Sequence, residues 1–275
     1  MHPTKSDPLN FAVPIGIFDS GVGGLSVLRA ARDVLPQENF IYFADSGFAP
    51  YGDKSDAYVI ERSERIGVWF VAQGAKAIVV ACNTATAIAV QTLRANVDLP
   101  IIGVEPGLKP AIAATRTGKV GVLATAATLA SKRYADLLAR IQADAPHIEF
   151  HEQVGGGWVE LVERGELTSQ RARRTIADVI APLVEQGCDT LVLGCTHYPF
   201  LAPAIQSAAP NATIVDTAPA IARELTRRIA ASSAARDGEP NGTLRLVTTG
   251  DAEGSAKVVT AMLGADFLFE SMTYS

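Results

Sequence analysis

The chain is poor in cysteine. Its 275 residues hold three, Cys82, Cys188 and Cys195, and an odd trio of thiols does not make the disulfide framework that staples small secreted domains. Long apolar runs are missing too. No stretch of about 18 uninterrupted apolar residues occurs, so no membrane-spanning helix is expected. The opening MHPTKSDPLN lacks a basic start followed by an apolar stretch, which argues against a secretory signal and for a cytoplasmic protein. The Asn-x-Thr matches at Asn211 and Asn241 then carry no meaning as glycosylation sites. Basic residues are outnumbered, 24 Lys and Arg against 29 Asp and Glu, for a formal net charge of −5. The densest basic cluster, Arg171, Arg173 and Arg174, reads as a solvated helix face, and no nucleic-acid partner is expected. Of the four histidines, His2 lies in the terminus and His147 and His151 flank an expected strand. No Cys/His cluster has ligand spacing, so no metal site is expected.

What is present is enough to build a large core. Hydrophobic residues make up 48% and charged residues 19%, which excludes a disordered chain and predicts one large or two modest domains. Short apolar runs alternate with longer amphipathic ones. Val13–Phe18 reads as a buried strand, Asp19–Gly24 as a turn and Leu25–Val34 as a helix. Further strands are expected at Phe40–Ala44, Ala77–Ala81, Ile101–Val104, Val120–Leu123, Thr190–Leu193, Thr213–Val215 and, last, Leu244–Thr248. Helices are expected at Ser55–Gln73, Thr86–Arg94, Leu129–Ala143, Ser169–Glu185 and Ala252–Leu263, with a polar loop at Arg236–Gly242. Strands alternating with helices indicate βαβ units and mostly parallel sheets.

An internal echo organises this series. Gln73-Gly74-Ala75-Lys76-Ala77-Ile78-Val79-Val80-Ala81-Cys82 parallels Gln186-Gly187-Cys188-Asp189-Thr190-Leu191-Val192-Leu193-Gly194-Cys195. Each segment ends a helix at Gly, adds a short apolar strand and places Cys two residues beyond it. A weaker echo relates Gly16-Ile17-Phe18-Asp19-Ser20 to Gly121-Val122-Leu123-Ala124-Thr125. Two halves of similar design are expected.

In open α/β sheets, ligands bind outside the carboxyl ends of the strands, where Cys82 and Cys195 both fall. Each precedes a polar pair, Asn83-Thr84 and Thr196-His197. Turn amides and a following helix N-terminus stabilise an anion there, a thiolate included. Cys188, at a helix–strand junction with no polar turn after it, reads as a small buried hydrophobe. His197 is placed to exchange a proton near Cys195. Gly21-Val22-Gly23-Gly24 lacks the nucleotide-binding patterns and reads instead as a tight turn whose amides face a ligand carboxylate. Asp19, Ser20, Asp45 and Pro50-Tyr51-Gly52 converge on the same edge. A pair of thiols flanking a substrate could remove a proton from one face of a carbon and deliver one to the other, inverting a stereocentre without a cofactor. Asp19 and His197 could poise the two thiols unequally.

Four motifs in order, Phe18-Asp19-Ser20-Gly21-Val22-Gly23-Gly24-Leu25, Pro50-Tyr51-Gly52, Ala81-Cys82-Asn83-Thr84-Ala85 and Leu193-Gly194-Cys195-Thr196-His197-Tyr198-Pro199, resemble the glutamate racemases, cofactor-independent enzymes that supply D-glutamate for peptidoglycan. The resemblance implies an α/β fold of two pseudo-symmetric domains, each a mostly parallel sheet flanked by helices, with the active site between them. The first domain would be 1–105 completed by 217–275, the second 106–216. It implies Cys82 as the base toward D-glutamate, assisted by Asp19, and Cys195 as the base toward L-glutamate, assisted by His197. It also implies a substrate-binding set of Asp19, Ser20, Tyr51, Gly52, Asn83, Thr84, Thr196 and His197, with Asp45 and Glu163 as further carboxylates near the site. No cofactor, no metal, glutamate as the small-molecule partner and a homodimer complete the expectation.

Two departures from the family pattern stand out. Gly155-Gly156-Gly157 replaces the usual Cys-Pro, and Ser46-Gly47-Phe48-Ala49 departs from the usual Thr and basic residue before Pro-Tyr-Gly. Three rivals remain at this point. Aspartate racemase is one, although it usually has Glu where His197 stands. A hydrolase built on Cys195 and His197 is another, disfavoured by their adjacency in sequence. The third is a two-lobed amino-acid-binding protein.

Overall fold

The structure, a computed structural model, describes residues 13–231, 241–264 and 267–272. The chain runs β1 (Ile15–Asp19), α1 (Leu25–Val34), β2 (Phe40–Ala44), α2 (Asp56–Ala72), β3 (Ala77–Val80), α3 (Asn83–Asn96), β4 (Ile101–Gly103) and α4 (Leu108–Ala114). It continues through β5 (Lys119–Ala124), α5 (Ala126–Ala130), α6 (Lys132–Asp144), β6 (Glu149–Val154), α7 (Trp158–Glu163), α8 (Gln170–Glu185), β7 (Thr190–Leu193), α9 (Ala202–Ala208) and β8 (Thr213–Val215). It closes with α10 (Ala218–Ala231), β9 (Leu244–Thr248), α11 (Ala252–Leu263) and β10 (Phe269–Ser271).

Two sheets form. One has six strands in the order β10-β9-β2-β1-β3-β4, the other four in the order β6-β5-β7-β8. Neighbouring strands pair parallel throughout. The central strands β1, β2, β3 and β7 are buried at every residue, as expected where helices cover both faces of a parallel sheet. Written side by side, β2-β1-β3-β4 and β6-β5-β7-β8 are the same order, so the sequence echo is a repeat of topology. β9 and β10 extend only the first sheet, and α10 packs on α1.

The weaker echo has a packing reason. A Cβ on Gly16 of β1 would lie 2.5 Å from the Phe70 ring of α2, and one on Gly121 of β5 would lie 2.7 Å from Leu191 and 2.9 Å from Leu183 of α8. Each half uses a strand glycine to admit a large side chain from the helix that precedes its cysteine strand.

Several expectations are corrected. The helix expected over 129–143 is two, because the Ser131 hydroxyl accepts from Tyr134 N–H and starts α6 as a fresh N-cap. α3 begins at Asn83, three residues before the expected start, which makes Cys82 its N-cap. His151 lies within β6 rather than beside it, in an edge strand that is largely half-exposed. Leu244–Thr248 is not the last strand, since β10 follows and pairs with it. Of the polar loop expected at 236–242, residues 236–240 lie outside the described residues, as does His2. No helix among the described residues is long and apolar enough to cross a membrane.

Candidate active site

The carboxyl ends of both sheets open on one cleft. From the first sheet's side it is lined by Ser20, Tyr51, Gly52, Cys82, Asn83 and Thr84; from the second's by Thr125, Gly155–Gly157, Cys195, Thr196 and His197. The two cysteines that the repeat pairs therefore face the same space from opposite sides.

Cys82 sits where β3 gives way to α3. Its sulfur accepts the Ala85 N–H at 3.4 Å, a bond from the first turn of the helix, and its thiol donates to Ser20 Oγ at 3.8 Å. Burial pushes the Cys82 thiol above the ordinary range, and the nearby Asp19 charge adds to the rise; the Ala85 amide acts against both. That direction favours the thiol over the thiolate at Cys82.

Cys195 has different company. Its sulfur lies 3.7 Å from His197 Nδ1, and His197 Nε2 lies 2.6 Å from Glu163 Oε1. Burial works against a charged imidazole here. The contacts with Cys195 and Glu163, and the charges of Cys195 and Asp19, outweigh it and hold the His197 pKa well above its usual value. The contact brings together the two residues that the sequence reading expected to exchange a proton, although they stand only two positions apart in the chain. Beyond residue 195 the chain turns helically, with His197 at an αR backbone, and enters a short 3-10 turn at Tyr198–Leu201. That curl brings the imidazole back over the sulfur.

Asp19 is fully buried and does not line the cleft. Its oxygens accept from Ser20 N at 2.7 Å, Gly24 N at 2.6 Å and Thr196 Oγ1 at 3.3 Å. Burial raises its pKa, with His197 opposing. The glycine turn also differs from expectation. Its amides face protein carboxylates rather than an open ligand site: Gly24 N bonds Asp19, and Val22 N bonds Glu163 Oε1 at 2.8 Å. The glycines are needed for close approach, since a Cβ on Gly21 would fall 1.9 Å from Glu163 Oε1 and one on Gly23 would fall 2.2 Å from His197 Nδ1. Asp45 lies behind Tyr51, accepts its hydroxyl at 2.5 Å, and pairs with Arg62 Nη2 at 2.7 Å. Glu163 and Asp45 thus support lining residues without lining the cleft.

Sequence reasoning missed part of the wall. Thr125, Ala126, Val159, Glu160 and Tyr198 also line the cleft. The signal for Thr125 was available, because the weaker echo sets Asp19-Ser20 against Ala124-Thr125, and Ser20 and Thr125 occupy equivalent wall positions. Gly155 lines it because Tyr198 leaves no room for a side chain, its hydroxyl lying 2.4 Å from where a Cβ would be. Two thiols on opposite sides of a small cleft, each with a distinct polar partner, are equipped for proton transfer at both faces of a bound carbon.

A family profile described as Asp/Glu/hydantoin racemase matches residues 26–225. The chain belongs to the Asp/Glu/hydantoin racemase family. Among its relatives, the glutamate racemase of Methylococcus capsulatus is 53% identical over 219 residues, 79% of this chain and 80% of that protein. The glutamate racemase of Herpetosiphon aurantiacus is 48% identical over 246 residues, 89% and 96% of the two chains. Among solved structures, a glutamate racemase isoform of Bacillus anthracis superposes with a TM-score of 0.86 at 30% identity, covering 96% of this chain and 98% of that one. The Escherichia coli glutamate racemase, solved with L-glutamate and an activator, gives 0.81 at 31% identity over 94% and 97%. Membership in a racemase family decides between the readings that Cys195, His197 and Glu163 leave open. A nucleophile–base–orienter chain of this form serves thiol hydrolases as well, and that reading is set aside.

Proposed function

We propose that the protein interconverts L- and D-glutamate by two-base proton transfer at Cα and supplies D-glutamate for peptidoglycan. The observation that carries this is the placement of Cys82 and Cys195 at equivalent strand ends on opposite sides of one cleft. Toward L-glutamate, the Cys195 thiolate takes the Cα proton, and the electron pair left on carbon delocalises into the α-carboxylate. The Cys82 thiol then gives its proton to the opposite face, which leaves Cys195 protonated and Cys82 as thiolate. The reverse direction uses the same groups in exchanged roles. The unlike surroundings of the two sulfurs support this division: His197 stands beside Cys195, and Ser20, with buried Asp19 behind it, beside Cys82.

Ser20, Tyr51, Gly52, Asn83, Thr84, Thr196 and His197 form the proposed binding set. Asn83 supports it directly. Its Nδ2 is buried and has no hydrogen-bond partner among the described residues, and a buried donor left open costs stability unless a ligand takes it. Asp19 is proposed to act through Ser20 and Thr196, since it reaches the cleft only through them. The lobes of this enzyme are proposed to be 1–105 with 217–275, and 106–216, a division supported by the return of β9, β10 and α10 to the first sheet's side.

Solvent exchange tests the proposal. Purified protein in heavy water with L-glutamate, D-glutamate or either aspartate enantiomer should wash deuterium into Cα of both glutamates and abolish their optical rotation. Cys82→Ser and Cys195→Ser should each stop racemisation. Exchange with aspartate alone would move the substrate to the sister activity, and no exchange by folded protein with reduced thiols would sink the proposal.

A further inference from the structure

Tyr51 and Gly52 belong to a loop that forms one wall of the cleft. The loop joins β2 to α2 and is short of regular structure, with only 3-10 turns at Ser46–Phe48 and Tyr51–Asp53. Something must hold it, because a wall made of loop is only as exact as its anchors. The anchor is a buried carboxylate shared among distant parts of the chain. Asp45, at the end of β2, has no exposed surface. It accepts Tyr51 OH at 2.5 Å and Arg62 Nε at 3.0 Å on one oxygen, and Arg62 Nη2 at 2.7 Å and Thr249 Oγ1 at 2.9 Å on the other. Thr249 in turn accepts the Gly47 N–H at 3.1 Å. The Arg62 guanidinium lies 3.5 Å from the centre of the Phe48 ring, so it holds the loop by stacking as well as by charge. The fit around Thr249 is close, since a Cβ on Gly47 would stand 2.5 Å from its carbonyl oxygen.

We propose that Arg62 and Thr249 are positioning residues for the substrate wall, acting through Asp45 on Tyr51. Neither lines the cleft. Arg62 belongs to α2, and Thr249 follows β9, about two hundred residues after the loop it fastens, as the 204-residue separation of Thr249 and Asp45 shows. The carboxylate accepts a planar two-pronged donor on one side, which fixes its plane. The fixed plane then sets where the Tyr51 hydroxyl, and with it the ring and the Tyr51-Gly52 backbone, must stand. The strand β9 thereby gains a part in the site although it contributes no wall residue. This inference rests on the proposed glutamate racemase activity for its kinetic readout only.

The test compares Thr249→Val, Arg62→Lys and Arg62→Met with wild type. A wall that has lost its anchor weakens ground-state and transition-state binding alike, so KM for both glutamate enantiomers should rise, by about five- to twentyfold for Arg62→Met and less for Thr249→Val, with kcat within about threefold. Arg62→Lys, which restores charge but not the two-pronged contact, should fall between. Alkylation of Cys82 by iodoacetamide, followed by mass spectrometry without substrate, should accelerate in the same order, since Cys82 packs in one cluster with Tyr51. Should Arg62→Met not fold, Thr249→Val and Arg62→Lys carry the decision. Folded variants with a lowered Tm but unchanged KM and unchanged Cys82 labelling would overturn the proposal, reducing the cluster to a stabilising ion pair. If wild type racemises no glutamate, the activity proposal falls while the labelling order still tests the anchor.

Discussion

At the scale of single residues, the two halves repeat a thiol and differ in everything around it. Cys82 has a helix amide, a serine hydroxyl and a buried carboxylate near it, and burial pushes its thiol above the ordinary range. Cys195 has an imidazole that Glu163 holds from the far side. Cys188 is outside the cleft, and burial pushes its thiol up to about 11. Reactivity toward an alkylating agent follows the thiolate form. Iodoacetamide at neutral pH should therefore label Cys195 at least about tenfold faster than Cys82 or Cys188, read as peptide mass against time. Faster labelling of Cys82 would reverse the proposed resting assignment. The thiols were legible in the sequence because a repeat singled them out from an otherwise cysteine-poor chain. Glu163 was legible only by resemblance, since Val162-Glu163-Arg164-Gly165 has the form of any solvated helix end. Its role needs the turn of α7 that carries it to His197 and Val22, a contact across 141 residues that no local pattern records.

At the scale of elements, the strands were read well because burial on both faces leaves a continuous apolar run. β2, β7, β8 and β9 fall where the sequence set them. β10 escaped for the opposite reason: it is an edge strand with an exposed charged residue, so neither alternation nor an apolar run marks it. β6, another edge strand, was expected only between His147 and His151, short of its full extent. The helix start at Asn83 escaped because its N-cap is a cysteine rather than one of the usual Ser, Thr, Asp or Asn. The strand glycines yield a prediction at this scale. Gly16→Ala sets a methyl 2.5 Å from the Phe70 ring. Overpacking of this kind costs about 1–3 kcal/mol. The urea midpoint should fall with an unchanged m-value, while kcat stays near wild type because Gly16 lies at the amino half of β1, away from the cleft. An unchanged midpoint would mean that α2 shifts freely on its sheet, against the close fit described.

At the scale of the whole molecule, the two sheets are fastened behind the cleft by bonds that pass between them. Ser26 Oγ donates to Thr196 O at 3.0 Å, Thr196 Oγ1 reaches Asp19, and Glu163 takes both the Val22 amide and the His197 ring. The same groups that stand beside the thiols thus tie the two sheets to one another, so ionisation and stability are linked. The His197 pKa is raised in the folded protein. A group raised on folding contributes stability that is full below its unfolded value of about 6.5 and is lost as pH climbs through the folded value. Wild-type Tm should therefore decline on the alkaline side as His197 gives up its proton. Glu163→Gln keeps an oxygen for the Val22 amide but removes the charge that faces the imidazole. The His197 pKa should drop and the alkaline decline should begin at lower pH, with the alkaline limb of kcat moving the same way. Calorimetric Tm against pH for the two proteins checks this. Superimposable profiles would show that Glu163 ties the two sheets through its amide contact alone and leaves the protonation of His197 to Cys195 and Asp19.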